Sequence, residues 1–198
     1  MELELDNFYK RGIFVMKKTG ELGAKKKYAL IDDKGKIKIR GFESVRRDRC
    51  ELAKETQDVV LKKVLEEGKA DSALKYVKKV IEEVKSKKVS IDRLIIKTQL
   101  KKEIEDYSSI GPHVVVAKHM RELGLPIREG ALIEYVISKG SEKLIRERAK
   151  LPDEVKSGNY DIDYYISHQI IPAVESIFGV FNISLDEISK KQTNLKDF

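Results

Sequence analysis

The chain has 198 residues, of which 40 are Lys or Arg and 33 are Asp or Glu, so its formal net charge is +7. An excess of cations favours a polyanionic partner, although most of the charged residues are mixed in sign and are typical of solvated helix faces. An apolar content of 41% excludes a chain that is disordered by composition. Cys50 is the only cysteine, which excludes an internal disulfide and a cysteine-based zinc site and favours a reducing, cytoplasmic setting.

Membrane insertion is also excluded by the pattern of the sequence. No apolar run approaches the roughly 20 residues that a membrane-spanning helix needs. The first residues, MELELDNFYK, lack the basic flank and the apolar stretch of a signal peptide. We therefore expect no membrane partner.

Residues 1–40 have the two-residue period of β-strands. The segment LELDNFYKRGIFVM alternates and is rich in aromatic and β-branched residues. The segment KKKYALIDDKGKIKIRG contains two further alternating runs around Asp32 and Asp33, and Gly35 suits the left-handed position of a hairpin turn. We therefore predict a strand followed by a β-hairpin.

From Asp48 onward the apolar period becomes helical. A first helix ends at Gly68, and a second follows over residues 71–84. The segments RLIIKTQL and ALIEYVISKG predict short strands, whereas IGPHVVVAKHMRELG predicts a turn and a helix that ends at Gly124. A β-rich start followed by a mostly helical remainder predicts an α+β fold.

Two carboxylates precede the last predicted helix, in the segment YDIDYY. The spacing of Asp161 and Asp163 is shared with sites in which two carboxylates hold Mg²⁺. Carboxylates before a helix also cap its free N–H groups and complement its dipole. The long apolar-periodic helix that follows, which Pro172 should kink or interrupt, favours capping.

The other chemically active residue types form no recognisable catalytic site. His113, His119 and His168 lack the spacing of metal ligands, and Cys50 falls on a helical face that indicates packing. We therefore predict no catalytic residue, no bound metal and no bound cofactor in this chain.

The positive signals are cationic. Lys25, Lys26 and Lys27 precede Tyr28, and further cations follow at the predicted junction of strands and helices: Arg40, Arg46, Arg47 and Arg49. Cations on a rigid strand can reach phosphates, and a tyrosine among them can meet a sugar or base. Lysines also protect strand edges from aggregation, so composition leaves both interpretations open.

Several segments resemble archaeal family B DNA polymerases. The end of the palm and the start of the thumb in that family are similar to FYKRGIFVMKK, KKKYALIDDKGKIKIRGFESVRRD and ELAKETQDVVLKKVL. Thumb segments are similar to GPHVVVAKHMRELG, YVISKGS and DYYISHQIIPAVESIF, in collinear order over nearly the whole chain. Two segments depart from the family: TGELGA resembles an insertion in the palm hairpin, and SEKLIRERAKL replaces a glycine-containing segment.

The resemblance implies a division of the chain into three parts. Residues 1–45 would complete the palm with β-strands, residues 46–188 would form a mostly helical thumb, and residues 189–198 would form a tail. In the family the exonuclease, the fingers and the acidic metal-binding motifs lie upstream of the matched segments. The resemblance therefore implies the small subunit of a split polymerase, with Mg²⁺ on a large partner. Met1 stands in register before the ELELD strand, which favours a native start over an excised fragment.

The resemblance also implies contacts with primer–template DNA near the palm hairpin. The family's Lys-x-Tyr motif falls on Lys26 and Tyr28, with Lys25 and Lys27 beside them. The lysine would approach the primer terminus in the minor groove, and the tyrosine would contact the nascent base pair.

A second set of implied DNA contacts lies farther along the chain. Arg46 and Arg47 would hold backbone phosphates where palm meets thumb. Gly111 and His113 would present a helix N-terminus to a phosphate, and Lys118 would steer the same strand.

The tail carries a motif of a different kind. In QTNLKDF, Gln192, Leu195 and Phe198 stand three residues apart, so that Leu195 and Phe198 share one side of a short helical turn. The pattern resembles the binding box for the sliding clamp (PCNA), shortened by one aromatic residue. It predicts the clamp as a further partner.

A free-standing basic nucleic-acid-binding module remains the alternative. The N-terminal strand pair discriminates between the two: a palm fragment should expose an apolar sheet edge that is built for another chain, whereas a self-contained module should bury it.

Overall fold

The structure is a computed structural model, and it describes residues 7–15, 27–42 and 48–185. The strands are β1 (Tyr9–Phe14), β2 (Tyr28–Asp32), β3 (Ile37–Arg40), β4 (Ile96–Gln99), β5 (Leu132–Ile137) and β6 (Ala149–Lys150). The helices are α1 (Glu51–Glu67), α2 (Asp71–Lys85), α3 (Pro112–Glu122), α4 (Ile162–Tyr164), a π-helix (Tyr165–Ile170) and α5 (Ile171–Gly179). The chain therefore mixes α and β structure, as predicted.

The first sheet contains the predicted strand and hairpin, in the order β1-β2-β3 with antiparallel neighbours. The backbone N–H of Gly35 donates to the Asp32 carbonyl at 3.3 Å and closes the turn. Ala29 and Ile31 on β2 are fully buried, and α1 packs against β1 and β2. One face of this sheet thus contributes to the core.

The second sheet has the order β4-β5-β6 and lies in the predominantly helical part of the chain. The strands β4 and β5 are the two that the sequence predicts, and β6 is a strand that the sequence does not reveal. A bridge between Ser138 and Tyr160 extends β5 toward the last helical segment. The apolar side chains of both sheets and of the helices join in one buried cluster.

The last predicted helix runs without a break over residues 162–179, but Tyr165–Ile170 between α4 and α5 form a π-helix. Pro172 lies at the start of α5 and has no N–H to donate to the His168 carbonyl. The Arg49 guanidinium donates to that carbonyl instead. Within the π-helix, Gln169 Oε1 accepts from the Cys50 backbone N–H at 3.0 Å, which ties this segment to the start of α1.

The C-terminus of α1 is held by a residue from β1. The helix has no basic residue in its last turn, and the Arg11 guanidinium supplies the missing charge by donating to the Leu65 carbonyl at 2.5 Å and the Glu66 carbonyl at 2.7 Å. Gly68 follows with φ +74°, and a Cβ there would lie 3.2 Å from Arg11 Cζ. The glycine thus serves both the backbone turn and the approach of Arg11.

This double role predicts different costs at two glycines with similar backbones. Gly124 also has a positive φ, of +84°, but a Cβ there would meet nothing within 4 Å. Gly124→Ala should lower the free energy of unfolding only by the strain of placing alanine in the left-handed conformation, roughly 1–2 kcal/mol. Gly68→Ala should cost about 1 kcal/mol more, because the displaced guanidinium weakens its hydrogen bonds. Urea unfolding of the two variants measures the difference, and equal losses would contradict the proposed role of Arg11.

Candidate nucleic-acid interface

The face of the first sheet that points away from α1 carries Tyr28. Antiparallel pairing sets Tyr28 opposite Phe14 on β1 and opposite Arg40 on β3. The next row on the same side joins Gly12, Leu30 and Lys38. We call these six residues the outer face.

The outer face changes in character from one strand to the next. The ring of Phe14 stacks on the ring of Tyr28, with centroids 6.0 Å apart. On the other side, Arg40 is exposed and Lys38 Nζ lies 5.8 Å from the centroid of the Tyr9 ring. The face is therefore apolar at β1 and cationic at β3, with Tyr28 between the two, an arrangement that can meet a sugar or base with a ring and a phosphate with a cation.

Of the three lysines before Tyr28, only Lys27 lies within the described residues. Its Nζ lies 5.3 Å from the centroid of the fully buried Phe42 ring. Alternation along a strand sends Lys27 and Tyr28 to opposite faces. Lys27 therefore does not belong to the outer face. Lys25, Lys26, Arg46 and Arg47 lie outside the described residues.

The predicted anion site at the start of α3 has the backbone of a helix N-terminus. The Gly111 carbonyl accepts from the Val114 and Val115 N–H groups at 3.0 and 3.2 Å, while Gly111 itself is extended and offers no side-chain cap. The ring of His113 lies edge-on to Tyr107 with centroids 5.6 Å apart, and burial lowers the pKa of His113. At neutral pH this histidine is therefore a neutral hydrogen-bonding group, and the positive end of the helix dipole supplies the attraction for anions.

Two cations that the sequence did not single out lie near this helix end. Arg146 Nη1 donates to the Ile110 carbonyl at 3.5 Å, directly before Gly111. Lys102 Nζ lies 5.1 Å from the centroid of the Tyr107 ring. Lys118, on the same helix, lines a surface depression together with Glu105 and Glu122, and its contact with the DNA strand stays a prediction.

Asp161 acts as the predicted helix cap. Its Oδ1 accepts from the Tyr164 backbone N–H at 2.9 Å, and its Oδ2 accepts from the Arg148 guanidinium. Asp163 is exposed. Within residues 7–15, 27–42 and 48–185, no three His, Cys, Asp or Glu side chains are grouped so that they could hold a metal ion.

The lone cysteine is placed as a packing residue and not as a nucleophile. Cys50 is buried, and burial raises the pKa of its thiol to about 11, which disfavours the nucleophilic thiolate.

None of the helices within the described residues is long and apolar enough to cross a membrane.

His119 forms a pair that the sequence did not predict. Its Nε2 lies 2.7 Å from Glu154 Oε1, and its Nδ1 lies 3.7 Å from Glu122 Oε2. The hydrogen bond with Glu154 raises the pKa of His119, and the same bond lowers the pKa of Glu154. The pair joins α3 to the segment that follows β6, so its protonation affects how these parts hold together.

This pair predicts a pH-dependent stability. The contribution of His119 to the free energy of unfolding is complete below its unfolded pKa of about 6.5 and is lost as the pH rises through its higher folded pKa. The contribution of Glu154 is present above its unfolded pKa of about 4.3 and is lost as the pH falls through its lower folded pKa. His119→Gln should therefore reduce the free energy of unfolding more at about pH 5.5 than at about pH 8. Denaturant titrations at both pH values test this, and a pH-independent difference would contradict it.

Known DNA polymerases match nearly the whole length of this chain. The sequence pattern of the family described as DNA polymerase family B matches residues 1–181. A DNA polymerase of Methanocaldococcus jannaschii is 43% identical over 195 residues, which are 98% of this chain and 11% of that protein. A DNA polymerase of Thermococcus gorgonarius is 42% identical over 195 residues, or 98% of this chain and 24% of that protein.

A solved structure agrees with these sequence matches. The family B DNA polymerase from the hyperthermophilic archaeon Pyrobaculum calidifontis superposes with a TM-score of 0.76 at 35% identity, over 91% of this chain and 23% of that one. The chain belongs to DNA polymerase family B. It spans only 11% and 24% of the two relatives named above.

Proposed function

We propose that this chain is the small, non-catalytic subunit of a two-polypeptide family B DNA polymerase, in which it completes the palm, forms the thumb and grips primer–template DNA. A large polypeptide would supply the exonuclease, the fingers and the carboxylates that hold Mg²⁺. The family match supports the polymerase part of this proposal.

The outer face is the observation that carries the DNA-binding part of the proposal. Tyr28 stands between a stacked aromatic ring and an exposed arginine on a three-stranded sheet, so its position is fixed before DNA arrives. Arg40 would hold a phosphate, Lys26 would approach the primer terminus, and Tyr28 would contact the nascent base pair. Phosphate contacts of this kind are independent of sequence and suit a protein that must hold any duplex.

The start of α3 provides a second contact in this proposal. The free N–H groups at Gly111 and His113 favour a phosphate, and Arg146 adds a positive charge beside them. Arg46 and Arg47, which lie outside the described residues, remain predicted phosphate contacts where palm meets thumb.

The exposed side of the outer face favours a subunit over a free-standing module. Phe14 is 62% exposed, and within the described residues the edge strands β1 and β3 each pair only with β2. A self-contained module that binds nucleic acid through the cations of β3 has no use for an exposed phenylalanine and an unpaired edge on β1.

Primer extension tests the proposal. With Mg²⁺, nucleotides and a primed template, the isolated chain should incorporate no nucleotide, because its described residues offer no metal-binding carboxylate cluster. The polypeptide from the same organism that carries the remaining family B segments should extend poorly alone and efficiently once this chain is added.

Two outcomes would overturn the proposal. Robust extension by the isolated chain would show that a catalytic site had been overlooked. A large polypeptide whose extension does not change when this chain is added, although the chain binds duplex DNA, would establish the free-standing module instead.

A further inference from the structure

We infer that the β1 side of the outer face is the surface on which the polypeptide carrying the remaining polymerase segments docks. This inference rests on the proposed function and adds to it the place of contact. The docking surface consists of Phe14, Leu30 and the exposed edge of β1 beside Gly12.

The exposure of Phe14 is the first observation. Phe14 is 62% exposed and Phe8, just before β1, is 74% exposed, and these are the two highest values among the large apolar side chains within the described residues. Phe14 is not a loosely placed surface residue, because its ring stacks on Tyr28 at an interplanar angle of 29°. A ring that is exposed and held in place loses little side-chain entropy on binding.

Gly12 makes the apolar surface continuous between Phe14 and Leu30. A Cβ at Gly12 would lie 2.6 Å from Leu30 Cδ2 and 3.1 Å from Phe14 Cε2. The side chains of Leu30 and Phe14 therefore occupy the space in which a side chain of residue 12 would lie. The result is one apolar surface along β1 and β2.

The distribution of charge assigns this side to protein and the other side to DNA. The outer-face cations Lys38 and Arg40 are on β3. On β1 the guanidinium of Arg11 is engaged by the Leu65 and Glu66 carbonyls on the inner side, and Lys10 is exposed next to the irregular pairing of Tyr9 and Arg11. Lys38 Nζ lies 5.8 Å from the Tyr9 ring at the start of β1. Within the described residues, the surface of Phe14, Gly12 and Leu30 itself is apolar, which fits an apolar polypeptide segment better than a phosphate backbone.

The occupant follows from the lengths of the relatives. In the polymerases of Methanocaldococcus jannaschii and Thermococcus gorgonarius the matched segment is 11% and 24% of one continuous protein. The remaining segments of such a protein are the partner that this sheet is built to meet. Within the described residues β1 pairs only with β2, so its outer edge also offers backbone N–H and C=O groups to a strand of the partner.

A titration of the large polypeptide with three forms of the full chain tests the inference. Phe14→Ser should weaken the association at least tenfold, and Phe14→Leu should weaken it much less, because it keeps most of the apolar area. The matched control is Leu123→Ser at the end of α3, where the side chain is 58% exposed, and it should leave the affinity unchanged within about twofold. Duplex DNA binding by the isolated Leu123→Ser chain should also stay within about twofold, because Leu123 lies outside the outer face.

The outcomes separate this inference from the proposed function. If the wild-type chain does not bind the large polypeptide, the subunit proposal itself fails. If it binds and Phe14→Ser binds equally well, or if Leu123→Ser weakens binding as much, the docking surface is elsewhere and the subunit proposal stands.

Discussion

Arg148→Ala should destabilise the protein by about 3–5 kcal/mol, the largest loss of stability that we expect from a single charged residue. Arg148 and Asp161 are paired with side chains only 17% and 11% exposed. Without the guanidinium the Asp161 carboxylate stays in the protein with one remaining hydrogen bond, from the Tyr164 N–H. The cost is that of an unpaired buried charge rather than the strength of the ion pair itself.

Three further variants separate these effects. Adding Asp161→Asn to Arg148→Ala should recover part of the loss, because it removes the uncompensated charge, and together with the single variant Asp161→Asn it completes a double-mutant cycle that gives the coupling. Arg121→Ala is the matched control: its pairs with Glu103 and Glu105 are largely exposed, so it should cost no more than about 1 kcal/mol. Chemical denaturation measures the wild type and all four variants, and a similar loss for Arg148→Ala and Arg121→Ala would contradict the account.

The regular elements could be predicted because their signals are local. The hairpin around Gly35, the end of α1 at Gly68 and the cap at Asp161 each depend on residues within a few positions of one another. The pairing of Tyr28 with Arg40 could also have been found, since a hairpin turn fixes the register of both strands. Arg40 appeared in the sequence only as one of several cations.

The remaining features depend on residues that are far apart in the chain. Arg11 reaches carbonyls 54 and 55 positions away, and Arg146 reaches a carbonyl 36 positions away. The π-helix depends on Gln169 and on Arg49, which is 119 positions from its partner carbonyl. No periodicity or motif reports such contacts, because tertiary packing decides them.

The family resemblance predicted more of the candidate site than the residue patterns did. Composition left Tyr28 and its neighbouring cations open between DNA binding and edge protection, whereas the resemblance named Tyr28 as a DNA contact. The structure adds the aromatic partner Phe14, the cationic partner Arg40 and the different surroundings of Lys27. These additions turn a basic stretch of sequence into a surface with two distinct sides.

The tail prediction concerns Gln192, Leu195 and Phe198, which lie outside the described residues. Leu195→Ala combined with Phe198→Ala should abolish the stimulation of processivity by the sliding clamp and leave short extension without the clamp unchanged. A short tail loses conformational freedom on binding, so a peptide covering residues 189–198 should bind the clamp with micromolar affinity, roughly −8 kcal/mol at 1 µM. Burial of Leu195 and Phe198, at about 1.5–3 kcal/mol each, should supply most of it.

The matched control for this experiment is Lys196→Ala, in the same tail but outside the three-residue pattern of the motif. This variant should bind the clamp with nearly wild-type affinity, because the apolar pair of the motif remains. Calorimetry is carried out with the double variant and with Lys196→Ala, each as a peptide of residues 189–198 and as a full chain. It distinguishes a specific clamp-binding motif from general attraction between a charged tail and the clamp. If the double variant and the wild-type chain bind the clamp equally, the motif does not function, and the chain's part in the polymerase is then confined to the palm and thumb segments.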